Sequence, residues 1–184
     1  HPDFEHDSCG IGFVAQVRGK KSHSIIDMGL GVLMNMAHRG AESADARTGD
    51  GAGILLQIPR DFYLIQGYQL PPEGQFGTGI IFLPQKEDES RDCLTVLEGI
   101  LRDEGIDILG YRDVPRDPDV LGEISRATEP FMIQILVGAD MEQIDLERKL
   151  FIIRKRVEKT IRESSLSQKI SRPVLSRSIN SAES

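Results

Sequence analysis

Cys9-Gly10-Ile11-Gly12-Phe13-Val14-Ala15-Gln16-Val17 is the stretch on which the reading of the fold turns. Ile11, Phe13, Ala15 and Val17 alternate with their neighbours, the period of a strand with one buried face, so a strand is expected to open at Cys9. A cysteine at a strand mouth, followed by Gly10 and Gly12, has little bulk around it and an open backbone on its far side. Taken alone, a free cysteine is more often a small buried hydrophobe. That bland reading fits Cys93 well, since it sits in the helical run Asp92-Cys93-Leu94-Thr95-Val96-Leu97.

Working outward, Arg18-Gly19-Lys20-Lys21 reads as a turn. Ser24 with Asp27 three residues on resembles a helix start, because a short oxygen side chain caps free backbone N–H groups. The helix then carries Ile26, Leu30, Leu33, Met34 and Ala37 at helical spacing and is expected to end near His38-Arg39-Gly40. Thr48-Gly49-Asp50-Gly51-Ala52-Gly53 has the glycines of a sharply turning or closely approached backbone. It feeds Ile54-Leu55-Leu56-Gln57-Ile58, read as a short strand stopped by Pro59. Further on, Gly79 to Leu83, Ile106 to Tyr111 and Phe131 to Val137 read as strands. Asp88 to Arg102 and Leu146 to Arg162 read as helices, with Leu94, Leu97 and Leu101 inward on the first and Leu150, Ile153 and Val157 on the second. The second half is thus strand–helix–strand–strand–helix, an α+β unit. Ser164 to Ser184 reads as a weakly ordered serine-rich tail, or as a strand in need of partners.

The 184 residues suffice for one ordinary domain with its own core, and 39% hydrophobic with 28% charged residues is the balance of a globular chain. A net charge of −7 argues against nucleic acid, whose phosphates call for a basic face, and against an anionic membrane surface. No apolar run approaches the roughly 20 residues of a membrane span, and His1 to Ser8 is too acidic for a secretory signal. The expected location is cytoplasmic. Two cysteines are too few for an iron–sulfur cluster, and no structural disulfide is expected between them in that compartment. His6-x-x-Cys9, with His23 and His38 elsewhere, lacks the second ligand pair that zinc requires, so no metal is expected. No Lys-Ser or Lys-Thr follows the glycines of residues 49–53, and Asp50 would repel phosphate there.

Three blocks carry a resemblance. Phe4-Glu5-His6-Asp7-Ser8-Cys9-Gly10-Ile11-Gly12-Phe13, His38-Arg39-Gly40-Ala41 and Thr48 to Pro59 resemble, in order, the opening of the glutamate synthase large-subunit family. Gln85 to Asp88 and Leu146 to Lys155 agree with it, so the similarity covers roughly Phe4 to Arg162. The resemblance implies a class II glutamine amidotransferase domain, an N-terminal-nucleophile hydrolase of αββα sandwich type. Only its N-terminal part would be present, with an inserted α+β unit. Such a domain releases ammonia from glutamine for a synthase domain that reduces 2-oxoglutarate. FMN and an iron–sulfur cluster would belong to later domains of the parent enzyme and none to this chain. By motif match Cys9 is the nucleophile, while Arg39, Gly40, Asp50 and Gly51 support the substrate pocket.

The same match implies three segments: a leader at residues 1–8, the amidotransferase domain at 9–163 and the tail at 164–184. A thiol with a reference pKa of about 8.5 is mostly protonated at neutral pH. A free N-terminal amine, at about 7.7 to 8.0, can act as its base. While Ser8 is joined to Cys9, that nitrogen is an amide, so cleavage is expected between Ser8 and Cys9. The family's Asn-Gly oxyanion pair has no counterpart, since the asparagines are Asn35 before Met36 and Asn180 before Ser181. Losing such a donor costs about 10² to 10³ in rate. The chain therefore reads as an unprocessed precursor, part of a longer polypeptide and inactive alone. A truncated gene product, or a non-catalytic binding or regulatory module on the same scaffold, are the alternatives. Its expected partners are glutamine, the remainder of the synthase polypeptide and, through an open sheet edge, copies of itself.

Overall fold

Glycine, proline and charged residues cut the chain into short elements, which a computed structural model describes for residues 10–36, 48–49, 51–164 and 176–177. Two units emerge. One comprises residues 1–56 with 117–128, the other residues 57–116 with 129–184.

In the first unit, helix α1 spans His23–Asn35. Its cap is Ser22 rather than Ser24: the Ser22 hydroxyl accepts from the Ser24 N–H at 3.3 Å. Met36 closes the helix, earlier than the expected His38 to Gly40, a stretch that lies outside the described residues. The turn before α1 forms as expected, with the Gly19 N–H donating to the Gln16 carbonyl at 2.9 Å. The two strands expected here do not. Residues 10–16 and 51–59 are irregular, and Ile11 and Phe13 are each 91% exposed. Alternation marks which side chains share a face, but a strand also needs a neighbour for its N–H and C=O groups, and none pairs with either segment among the described residues. Residues 117–128, which carry no pattern read in the sequence, fold as a 3₁₀ turn at Pro118–Val120 and helix α4 at Glu123–Ala127.

The second unit bears out the strand–helix–strand–strand–helix reading with small changes of length. Its elements are α2 (Arg60–Ile65), β1 (Phe76–Leu83), α3 (Glu87–Asp103), β2 (Asp107–Asp113), β3 (Phe131–Gly138), α5 (Gln143–Glu163) and β4 (Ser176–Arg177). The sheet order is β2-β3-β1-β4. β1 and β2 both run antiparallel to β3, and β4 runs antiparallel to β1. Read from β1, the unit is a βαββαβ arrangement of the split, ferredoxin-like kind. The α+β class holds, and these four strands form one sheet in the second half. The strands of the expected sandwich around Cys9 are not among the described elements. The strand-in-need-of-partners alternative for the tail finds its partner within the chain, where β4 pairs with Gly79 and Ile80.

Helices α3 and α5 cover one face. Ile81, Leu83, Ile133, Ile135 and Val137 meet Cys93, Leu97 and Leu101 of α3 and Leu146, Ile153 and Val157 of α5 in a single buried cluster. Of the inward leucines expected, Leu94 and Leu150 are partly buried against this cluster. At the C-terminal end of α3, the Lys149 ammonium donates to the Glu104 carbonyl at 2.6 Å, and Arg156 pairs with the Glu104 carboxylate. Cations at that end also complement the helix dipole. On the other face α2 docks through Tyr63, whose hydroxyl accepts from Gln134 at 2.8 Å. Arg112 lies 5.1 Å over the Phe62 ring there.

Two outcomes follow from this packing. Leu101, 2% exposed in the helix-covered cluster, should on replacement by alanine lower unfolding free energy by about 2–4 kcal/mol in chemical denaturation. Tyr111 donates to the Glu98 carboxylate at 2.8 Å. Burial first, and then that bond, push its phenol well above the ordinary tyrosine range. A pKa raised on folding stabilises fully below the unfolded value near 10 and is lost as pH climbs through the folded one. Difference absorbance at 295 nm between the native protein and Tyr111→Phe should therefore show no phenol step at about pH 10, and a step there would refute the assignment.

Candidate active site

Cys9, Arg39, Gly40 and Asp50, together with Ser8, lie outside the described residues, but the segments that adjoin three of the motif blocks are on view. The first is Gly10 to Gly12. A Cβ built on Gly12 would overlap Val32 Cγ1 and stand 3.9 Å from Met36 Cε. Only a residue without a side chain lets the backbone that follows Cys9 lie this close to α1. The second is the glycine-rich loop, where Gly51 has φ +83° and an open surrounding. That left-handed backbone is the sharp turn expected of the run of glycines. The segment leaving the loop returns to the same helix, because a Cβ on Gly29 would stand 2.8 Å from Ile54 Cδ1.

Gly29, Val32 and Met36 are spaced three and four apart, so they form one stripe along α1. That stripe therefore receives the segment after Cys9 and the segment after Gly51. The third block, His38 to Ala41, follows directly from the helix end. One helix face thus organises two of the blocks by contact and the third by connection. The stripe was not singled out in the sequence, where the helix was read on Ile26, Leu30, Leu33, Met34 and Ala37.

Thr48, at the start of the glycine-rich loop, is held by the other end of its own unit. The Ser125 hydroxyl of α4 donates to Thr48 Oγ1 at 3.2 Å, with both groups part-buried. No motif marked Ser125. The other cysteine, Cys93, is a free thiol at 4% exposure, as its helical run implied. Burial, then the neighbouring Asp92 and Glu89 carboxylates, push its pKa up, away from the thiolate that a nucleophile needs. Among the described residues no group of His, Cys, Asp and Glu is placed to hold a metal ion. No described helix is long and apolar enough to cross a membrane.

The family model for class-II glutamine amidotransferases matches residues 9–180. The chain belongs to that family. The match begins at Cys9 and runs past Ser164, the last residue of α5's C-terminal cap, to take in β4. Among curated proteins, this chain is 39% identical over 162 residues to the large chain of the NADPH glutamate synthase of Bacillus subtilis (strain 168). It is 36% identical over 176 residues to the corresponding chain of Azospirillum brasilense, and 35% identical over 170 residues to the NADH glutamate synthase of Saccharomyces cerevisiae. These alignments cover 85%, 91% and 84% of this chain but only 11%, 11% and 8% of the relatives. The chain thus spans about a tenth of the length of these relatives.

The close approach at Gly12 can be tested by crowding it. Gly12→Ala places a methyl group in the space of Val32 Cγ1, and overpacking of this kind costs about 1–3 kcal/mol. Adding Val32→Ala should return part of that loss, as expected of two residues in contact. Equal stability of Gly12→Ala and wild type in denaturant titrations would remove α1 as the support of the segment after Cys9.

Proposed function

We infer that this chain is the glutaminase portion of a glutamate synthase, with Cys9 as nucleophile in an αββα sandwich of the N-terminal-nucleophile type. The observation that carries the reading is that the family match starts at Cys9 itself. The convergence of the segments after Cys9 and Gly51 on one stripe of α1 supports it, since a glutamine pocket needs a nucleophile and a turning loop held by a common support.

The chemistry begins with hydrolysis of the Ser8–Cys9 peptide bond, which removes residues 1–8 and leaves a basic α-amine on Cys9. That amine takes the thiol proton, and the sulfur attacks the side-chain carboxamide carbon of glutamine. The tetrahedral adduct collapses as the amine returns its proton to the departing nitrogen, which leaves as ammonia. A γ-glutamyl thioester remains on Cys9. Water, deprotonated by the same amine, then adds to the thioester carbonyl, and glutamate leaves with the thiol restored. Arg39 and Gly40 line the nucleophile's pocket, and Asp50 with Gly51 forms its floor. The ammonia serves a synthase region of a longer polypeptide, a reading supported by relatives named glutamate synthases.

Intact mass and glutamine-dependent ammonia release test this together. The polypeptide bearing these residues should lose the mass of His1 to Ser8 and hydrolyse glutamine. Cys9→Ala should keep the leader and release no ammonia, while Cys93→Ala should process and turn over normally. Undiminished turnover in Cys9→Ala would falsify the nucleophile assignment.

A further inference from the structure

Helices α3 and α5 cover one side of the sheet, and their own outer faces are charged in opposite senses. On α5, Leu146, Ile153, Val157 and Ile161 are buried. The opposite line runs Ile144, Arg148, Phe151, Lys155, Lys159 and Arg162, at steps of three and four, and all six are exposed. Ile152 stands beside it. Ile144, Phe151 and Ile152 are 58%, 46% and 52% exposed. The Arg154 guanidinium and the Lys155 ammonium lie 5.3 and 6.0 Å from the centre of the Phe151 ring. α5 thus presents apolar side chains set among cations, on a chain whose net charge is −7. Its exposed acids, Asp145 and Glu163, pair with Arg148 at 3.5 Å and Lys159 at 3.9 Å, and Lys155 pairs with Glu158 at 3.2 Å. Exposed pairs of this kind hold little energy and are screened by salt, so they do not commit the cations.

The exposed residues of α3 have the other sign. Glu87, Asp88, Asp92 and Asp103 outnumber Arg91 and Arg102, and three of those acids crowd its first two turns. Because β1 and β3 are antiparallel and each is followed by one of these helices, α3 and α5 also run antiparallel. Glu104, at the end of α3, holds Lys149 and Arg156, so Lys159 and Arg162 lie farther back, toward the acidic turns of α3. A two-fold axis parallel to the helices carries α5 of one copy over α3 of another with these levels kept, and cations then meet acids twice. Seating α5 on α5, or α3 on α3, would oppose like charges. Helices of 17 and 21 residues are roughly 25 and 31 Å long at a rise of about 1.5 Å per residue. Lying about 10 Å apart, they offer roughly 600 Å² per copy, enough for a specific interface at the low end of the range.

We propose that two copies of this chain associate through the helix layer of the second unit, α5 of each copy seated on α3 of the other. Phe151 and Ile152 supply the apolar contact, and Lys159 and Arg162 set the register against Asp88 and Asp92. No foreign partner is needed, because the acidic complement of α5 lies on the helix beside it at matching levels. The inference concerns association alone and stands apart from the glutaminase reading.

Sedimentation velocity of the full chain over a wide range of concentration decides the matter. At low salt it should show a monomer–dimer equilibrium that weakens as salt is added. Lys159→Glu with Arg162→Glu alters exposed side chains only and should weaken association about tenfold or more, since like charges then face each other. Asp88→Lys with Asp92→Lys should do the same. Mixing the two variants should restore a dimer, because in the mixed pair the two altered helices face each other, as do the two unaltered ones. That recovery also shows that both variants are folded. Phe151→Ser should weaken association severalfold and leave its salt dependence in place. A monomer at every concentration overturns the proposal, as does a dimer indifferent to either reversal, or a pair of variants that fail to recombine. Capture of the monomeric chain by phosphatidylserine vesicles also overturns it, since the stripe then reads an anionic lipid surface.

Discussion

The antiparallel ladder between β1 and β3, in unbroken register from Phe76 opposite Gly138 to Leu83 opposite Phe131, is the constraint on which the second unit depends. A slip of one residue would turn Ile81, Leu83, Ile133, Ile135 and Val137 away from the helices and strip the core of its sheet side. With the ladder set, β2 can only add to the free edge of β3 and β4 to the free edge of β1. The helix-covered face then dictates where α3 and α5 lie. Glu104 locks the pair, because it holds cations from two turns of α5 at the end of α3. Buried apolar area supplies most of the stabilisation here, and the surface ion pairs add orientation more than energy.

The first unit is organised on a different principle. No described strand ladder fixes its segments; they are fixed by side chains that are missing. Glycine at position 12 lets its backbone lie against Val32 of α1, and glycine at position 29 of α1 leaves room for the tip of the Ile54 side chain. Such contacts contribute little area, yet they set distance tightly, since interiors do not compress. The exposed Ile11, Phe13 and Val17 in the same unit show that its apolar pattern exceeds what the described residues cover.

Much of the second unit was legible in the sequence because its signals were doubled. α3 combined an apolar face at Leu97 and Leu101 with acids in its first turn and Arg102 in its last. β3 combined a β-branched apolar run with flanking Pro130 and Gly138. Where one signal stood alone it misled. The alternation of Ile11 to Val17 and the apolar run of Ile54 to Ile58 named buried faces without naming anything to bury them. Ser24 was a plausible cap, but Ser22, two residues earlier, had the same chemistry and the extended backbone a cap requires. The family was readable from three spaced blocks. What no pattern could reveal were contacts between remote positions, such as Gly12 on Val32 and Ser125 on Thr48, since Val32 and Ser125 are unremarkable in their own neighbourhoods.

Because residues 117–128 complete the unit of residues 1–56, that unit cannot close in the order in which it is translated. The ribosome makes residues 1–56 first and then all of α2, β1, α3 and β2 before the missing piece appears. At roughly 5 to 20 residues per second, the wait is on the order of ten seconds. During that interval the first unit lacks one of its pieces while the βα portion of the sheet unit has already begun to form. Completion of the first unit is in this way timed by the synthesis of a segment far downstream.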